Sequence, residues 1–181
     1  YIASCCGGHS DCKVIFWMPT YRMSDNQALS EQTLSGELNI PVIETMQDLE
    51  ELNEVCSRNH VVMILKRHHL QSKYSMKQEF SNVKYMDDED LEQAGVQLYE
   101  TLSWVDALIT DYSSVAIDYL LMDRPIGFTL DDFDRYKESR GFVFEDPLSY
   151  MPGRHIYSKE EFFDFVGQIS RGEDHWKEDR S

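Results

Sequence analysis

The chain has 181 residues, 41% of them hydrophobic and 12% aromatic, which is enough apolar material for the core of one domain and too little length for two nucleotide-binding domains. No run of about 18 apolar residues is present to span a membrane. Seventeen Lys and Arg against thirty-three Asp and Glu leave a net charge of −16, a field that repels polyanions and argues against general nucleic-acid binding, although a few local N–H groups and cations can still hold a small phosphorylated ligand.

The start of the chain carries Cys5, Cys6, His9 and Cys12, the residue types of a zinc site, but without paired CxxC knuckles or a second ligand group downstream. With Cys56 alone further on, the four cysteines form no secreted disulfide framework, and a reducing cytoplasm is the simpler setting. Residues 1–12 therefore read as a loosely packed segment, without a bound metal. No basic and then apolar stretch opens the chain, so no signal peptide is read there, while the opening at Tyr1 and a polar end from Arg171 to Ser181 that reads as the start of a helix predict a piece cut from a longer chain.

Between them, residues 13–170 alternate short apolar runs with longer amphipathic stretches, the pattern of βαβ units. This predicts an α/β, Rossmann-like, mostly parallel sheet with helices on both faces. In chain order, Lys13 to Met18 is a strand, and Met23 to Leu38 a long polar loop. Asp48 to Arg58 is a helix with Leu49, Leu52, Val55 and Cys56 on one face, and Val61 to Leu65 is a buried strand. Asn82 to Met86 is a strand and Leu91 to Leu102 one helix; Ala107 to Thr110 is a strand, Ser114 to Leu121 a helix and Pro125 to Thr129 a strand. Asp131 to Pro152 reads as irregular, and Ser158 to Ile169 as a helix whose Ser158 and Glu161 form a capping box.

Three strand ends carry chemistry. The strand at 107–110 runs through Asp111, Tyr112, Ser113 and Ser114 directly into a helix, and a helix start at the carboxyl end of a parallel strand offers unpaired N–H groups to an anion. Capping of that helix by Asp111 or Ser113 is the more ordinary use of these residues, and both uses can coexist. Asp118, four residues past Ser114, falls one turn further along and could reach a hydroxyl of a bound ligand; a solvated carboxylate is the alternative. After the strand at 61–65 come Lys66, Arg67, His68 and His69, a local positive patch in an acidic chain, of which at most one His faces the rim. The first strand ends in Pro19 and Thr20, with Arg22 close behind. In a parallel sheet these three ends share one rim, where binding crevices are built.

Pro19-Thr20-Tyr21-Arg22, Lys66-Arg67-His68, Ile109 to Ser114 with Asp118, Arg124-Pro125, and Asp132 to Phe142 with Tyr136, Arg140 and Gly141, in this order, resemble the CDP-glycerol glycerophosphotransferase family. The resemblance covers roughly Lys13 to Lys159. It implies the C-terminal, donor-binding half of a GT-B-like enzyme that moves glycerol phosphate or a related polyol phosphate from a CDP-activated donor to a teichoic-acid-type polymer. Within that half it implies His68 as the catalytic residue beside the donor pyrophosphate. Arg22, Lys66, Ser113 and Ser114 would bind phosphate, and Thr20, Asp111 and Asp118 the donor hydroxyls or nucleotide. It implies no tightly bound cofactor and leaves room for a divalent cation. The partners are a nucleotide donor and a polymer acceptor, in the cytoplasm at the inner face of the membrane, with the full-length enzyme peripheral to that membrane. Two departures stand out: His69 replaces the family's usual Pro, and the acceptor-side domain that supplies a catalytic base is absent, so these residues alone are expected to bind donor weakly and turn over nothing. The rival readings are a sugar-nucleotide GT-B domain, disfavoured by the lack of a Gly-rich turn at 107–118, and a noncatalytic α/β module.

Overall fold

The computed structural model describes residues 11–20, 38–66, 79–139 and 141–180. Among these, six strands make one sheet in which every adjacent pair is parallel: β1 (Lys13–Trp17), β2 (Val61–Lys66), β3 (Val83–Met86), β4 (Ala107–Thr110), β5 (Ile126–Thr129) and β6 (Arg154–Ile156). Their order is β3-β2-β1-β4-β5-β6. The chain thus builds outward from β1 in one direction and then, from β4, in the other, the doubly wound arrangement expected of a Rossmann-like domain.

Alternation along the strands sorts the core into two layers. Ile15, Trp17, Met63, Leu65 and Ile109 face α1 (Met46–Arg58) and the last long helix. On the other face, Val14, Phe16, Ile64 and Leu108 meet α2 (Asp88–Ala94), α3 (Leu98–Leu102) and α4 (Val115–Tyr119). Both sheet faces are covered, which is why β2 is a continuous apolar run and all six of its residues are buried. Cys56 belongs to this core, where burial pushes its thiol up to about 12. Among the described residues no helix is long and apolar enough to cross a membrane, and no cluster of three or more metal-ligating side chains occurs. Cys5, Cys6 and His9 lie outside the described residues.

Three expectations need correction. The stretch from Leu91 to Leu102 is two helices: α2 begins earlier, at the reciprocal Asp87–Asp90 capping box, and stops at Gly95, whose φ of 68° is left-handed. The Val96 N–H then closes onto the Leu91 carbonyl at 3.1 Å. The segment 131–152 holds α5 (Phe133–Ser139) and a 3₁₀ turn at Pro147–Tyr150, and β6 follows it unannounced. The final long helix, α6 (Lys159–Ser170), has half of its expected capping box. Ser158 Oγ accepts from the Glu161 N–H at 3.3 Å, but the Glu161 carboxylate takes the N–H of Tyr157, one residue before the cap. Beyond it, residues 171–180 form turns and a 3₁₀ segment, Glu178–Arg180.

Lys159 Nζ bonds Asp48 at 2.6 Å and Glu51 at 2.9 Å, joining the start of α6 to the first two turns of α1. Partial burial raises the Asp48 carboxyl, but hydrogen bonds from Lys159 and Thr45 outweigh it and hold the group below its ordinary range. A carboxyl depressed in the fold adds stability that is complete above its unfolded pKa and is lost as pH falls through the folded value. Lys159→Met should therefore lower the urea midpoint clearly at about pH 7 and much less at about pH 3.

Candidate functional site

Because all six strands are parallel, their carboxyl ends share one rim. The point where strand order reverses lies between β1 and β4, which pair through Ile15↔Ala107, Phe16↔Leu108 and Trp17↔Ile109. Open α/β sheets bind ligands outside the strand ends at this position. Past the last paired residues the two chains stay tied. The Met18 N–H bonds the Ile109 carbonyl and Thr110 Oγ1 bonds the Met18 carbonyl, both at 2.8 Å. Asp111, 1% exposed, then accepts from the Thr20 N–H at 2.8 Å and from the Thr20 hydroxyl. Two residues 91 positions apart thus meet at the crevice.

The carboxylate of Asp111 is turned to Thr20, so it does not cap the following helix. Ser114 occupies the cap position without a side-chain cap bond and is exposed, while Ser113 Oγ accepts the Val115 N–H at a long 3.4 Å. The serine pair therefore stands at the rim with little of its hydroxyl chemistry used by α4. Lys66 ends β2 on the same rim, 8% exposed, with its ammonium 2.6 Å from Asp88 at the first turn of α2. Asp118 lies on the exposed side of α4 and accepts from the Tyr99 hydroxyl at 2.9 Å, a bond that raises the Tyr99 pKa. Arg22 and His68, with Arg67 and His69, lie outside the described residues.

The structure adds a feature that sequence reasoning missed. Tyr112 donates from its hydroxyl to Asp132 Oδ1 at 2.9 Å, and its ring lies 4.0 Å from that of Tyr136 and 5.3 Å from that of Phe142, centroid to centroid. The Asp132 and Tyr136 spacing was visible in the sequence; its partner across the rim was not. A separate cleft of about 490 Å³ lies at the amino-terminal end of β6, lined by residues including Met151, Arg154, His155 and Trp176, away from this rim.

Residues 2–181 match the CDP-Glycerol:Poly(glycerophosphate) glycerophosphotransferase family. The chain belongs to this family. A teichoic acid glycerol-phosphate transferase of Staphylococcus aureus (strain NCTC 8325 / PS 47) is 30% identical over 176 residues, covering 94% of this chain and 40% of the relative. The wall teichoic acid polymerase TagF superposes over 99% of this chain and 40% of its own with a TM-score of 0.65 at 26% identity. A TagF variant soaked with CDPG gives 0.66 at 25% identity, again over 99% of this chain and 40% of its own. The chain thus spans about 40% of the length of the relatives it matches, and its parallel α/β fold is shared with TagF.

Proposed function

We propose that this chain is the donor-binding part of a glycerophosphotransferase that moves glycerol phosphate, or a related polyol phosphate, from a CDP-activated donor to a teichoic-acid-type polymer. The observation that carries the reading is the meeting of Thr20, Asp111 and the Ser113-Ser114 turn at the switch point of the sheet in a member of this family. The serine hydroxyls and the Lys66 ammonium hold donor phosphate oxygens, together with Arg22 and His68. Asp111 and Thr20 fix the shape of the crevice, and Asp118 meets hydroxyls of the donor.

In the reaction an acceptor hydroxyl attacks the phosphorus that bears the glycerol. A new P–O bond forms while the bond from that phosphorus to the bridging oxygen breaks. CMP leaves with that oxygen, and the acceptor proton passes to a base. Such displacements depend on positioning and charge stabilisation, which is what hydroxyls and cations at a rigid rim supply. In the whole enzyme the site works in the cytoplasm at the inner face of the membrane, against an acceptor bound by another part of the protein.

Titration of CDP-glycerol against the chain and against Ser113→Ala/Ser114→Ala tests this reading. Loss of two hydrogen bonds to charged oxygens should weaken binding by roughly 10- to 100-fold with little change in Tm. Equal affinities for both proteins would remove the serine turn from the site, and a thermal response to UDP or GDP in preference to CDP would favour a sugar-nucleotide enzyme instead.

A further inference from the structure

We infer that Tyr112 is a positioning residue for the donor phosphates, acting through the serine turn that follows it; this rests on the donor-binding reading above. Residues 111–114 lie between β4 and α4 and belong to neither, so side chains must fix the path of the turn. Successive residues leaving a strand point in opposite directions. Here Asp111 ties the turn to the end of β1 through Thr20, and Tyr112 ties it to the segment after β5 through Asp132, itself only 6% exposed. On the far side, the carbonyls of Ser113 and Ser114 accept from the N–H groups of Ala116 and Ile117 at 3.2 and 3.0 Å. The serine pair is thus held from three sides.

Tyr112 packs its ring among Phe133, Tyr136 and Phe142. A phenylalanine would fill that aromatic cluster as well, so what the tyrosine adds is a hydroxyl aimed at a buried carboxylate. Hydroxyls that bind phosphate must be oriented to within about 0.5 Å to be effective. Tyr112 supplies that constraint from the residue immediately before them, and it couples the phosphate turn to Asp132, Phe133, Tyr136 and Phe142.

The test is calorimetric titration of CDP-glycerol and, separately, of cytidine into the wild-type chain, Tyr112→Phe, Asp132→Asn, Asp132→Ala, the Tyr112→Phe/Asp132→Ala pair and Ser114→Ala. Tyr112→Phe should weaken CDP-glycerol roughly tenfold, because the serine hydroxyls lose the orientation that the bond fixes, and leave cytidine, which carries no phosphate, unaffected. Asp132→Asn keeps an acceptor oxygen and should retain most of the affinity, whereas Asp132→Ala should lose at least as much as Tyr112→Phe. The two losses should be less than additive in the double variant, as expected for residues that share a bond. If Ser114→Ala loses affinity while Tyr112→Phe binds as wild type, the inference is wrong and the donor-binding reading stands. If Ser114→Ala binds as wild type, the inference falls because the serine turn does not hold the phosphates, and if the chain binds no CDP-glycerol, both fall. Equal losses for CDP-glycerol and cytidine in Tyr112→Phe would mean a general loosening of the fold and would also overturn the positioning role.

Discussion

Gly153→Ala is expected to destabilise the chain by about 3 kcal/mol and to lower its Tm by roughly 10 °C. Gly153 precedes β6, and a Cβ added there would sit 2.3 Å from the carbonyl oxygen of Ile126 and 3.0 Å from the Phe128 ring. That carbonyl is part of the β5 backbone, which pairs with β6 through Gly127↔Arg154, Phe128↔His155 and Thr129↔Ile156. It can yield only if the strands separate. Gly127 makes the useful contrast, because its added Cβ would meet Ile156 Cδ1 at 2.9 Å and the Phe165 ring at 3.0 Å, both side-chain atoms able to shift. Gly127→Ala should therefore cost about 1 kcal/mol. Denaturant titrations of the two variants give the order directly, and a larger loss at Gly127 would refute the argument. The folded fraction of Gly153→Ala should keep its CDP-glycerol affinity, because position 153 lies at the amino-terminal end of an edge strand, away from the binding rim.

The same strand shows where sequence reading stops. β2 and α1 were legible because burial wrote them into the sequence: Val61 to Leu65 is apolar throughout, and Leu49, Leu52, Val55 and Cys56 keep helical spacing and are all buried. β6 has three residues, two of them only half-buried, and exists because β5 offers it a backbone edge, which no periodicity records. The break between α2 and α3 was missed for the opposite reason. Leu91, Ala94, Leu98 and Leu102 continue one pattern across it, and only the left-handed Gly95 reveals two helices. At the site, the rim was legible because parallel strands must end together. The partners taken by its charged groups were not. Asp111 goes to Thr20, Lys66 to Asp88 and Asp118 to Tyr99, across 91, 22 and 19 positions. Such choices follow from the packing of distant segments and leave no trace in local spacing.

Asp111→Ala should reduce CDP-glycerol affinity by about 100-fold, the largest functional effect expected of a single change, and cost the fold about 3 kcal/mol. The two costs have one origin. A carboxylate 1% exposed accepts both the N–H and the hydroxyl of Thr20, so its removal orphans two groups at about 1–3 kcal/mol each, partly offset by water reaching the half-buried Thr20. Damage should stop short of the sheet, because Met18 is separately bonded to Ile109 and Thr110. Amide exchange can therefore locate it: the Thr20 N–H should lose protection while the Met18 N–H keeps it. Asp111→Asn retains one carbonyl acceptor but presents an amide NH₂ where the second oxygen was, so it should fall between the wild type and the alanine variant. Thr20→Val removes only the hydroxyl and should cost less than either in binding. If Thr20 stays protected in Asp111→Ala while affinity still collapses, Asp111 touches the donor itself and does not shape the crevice that receives it.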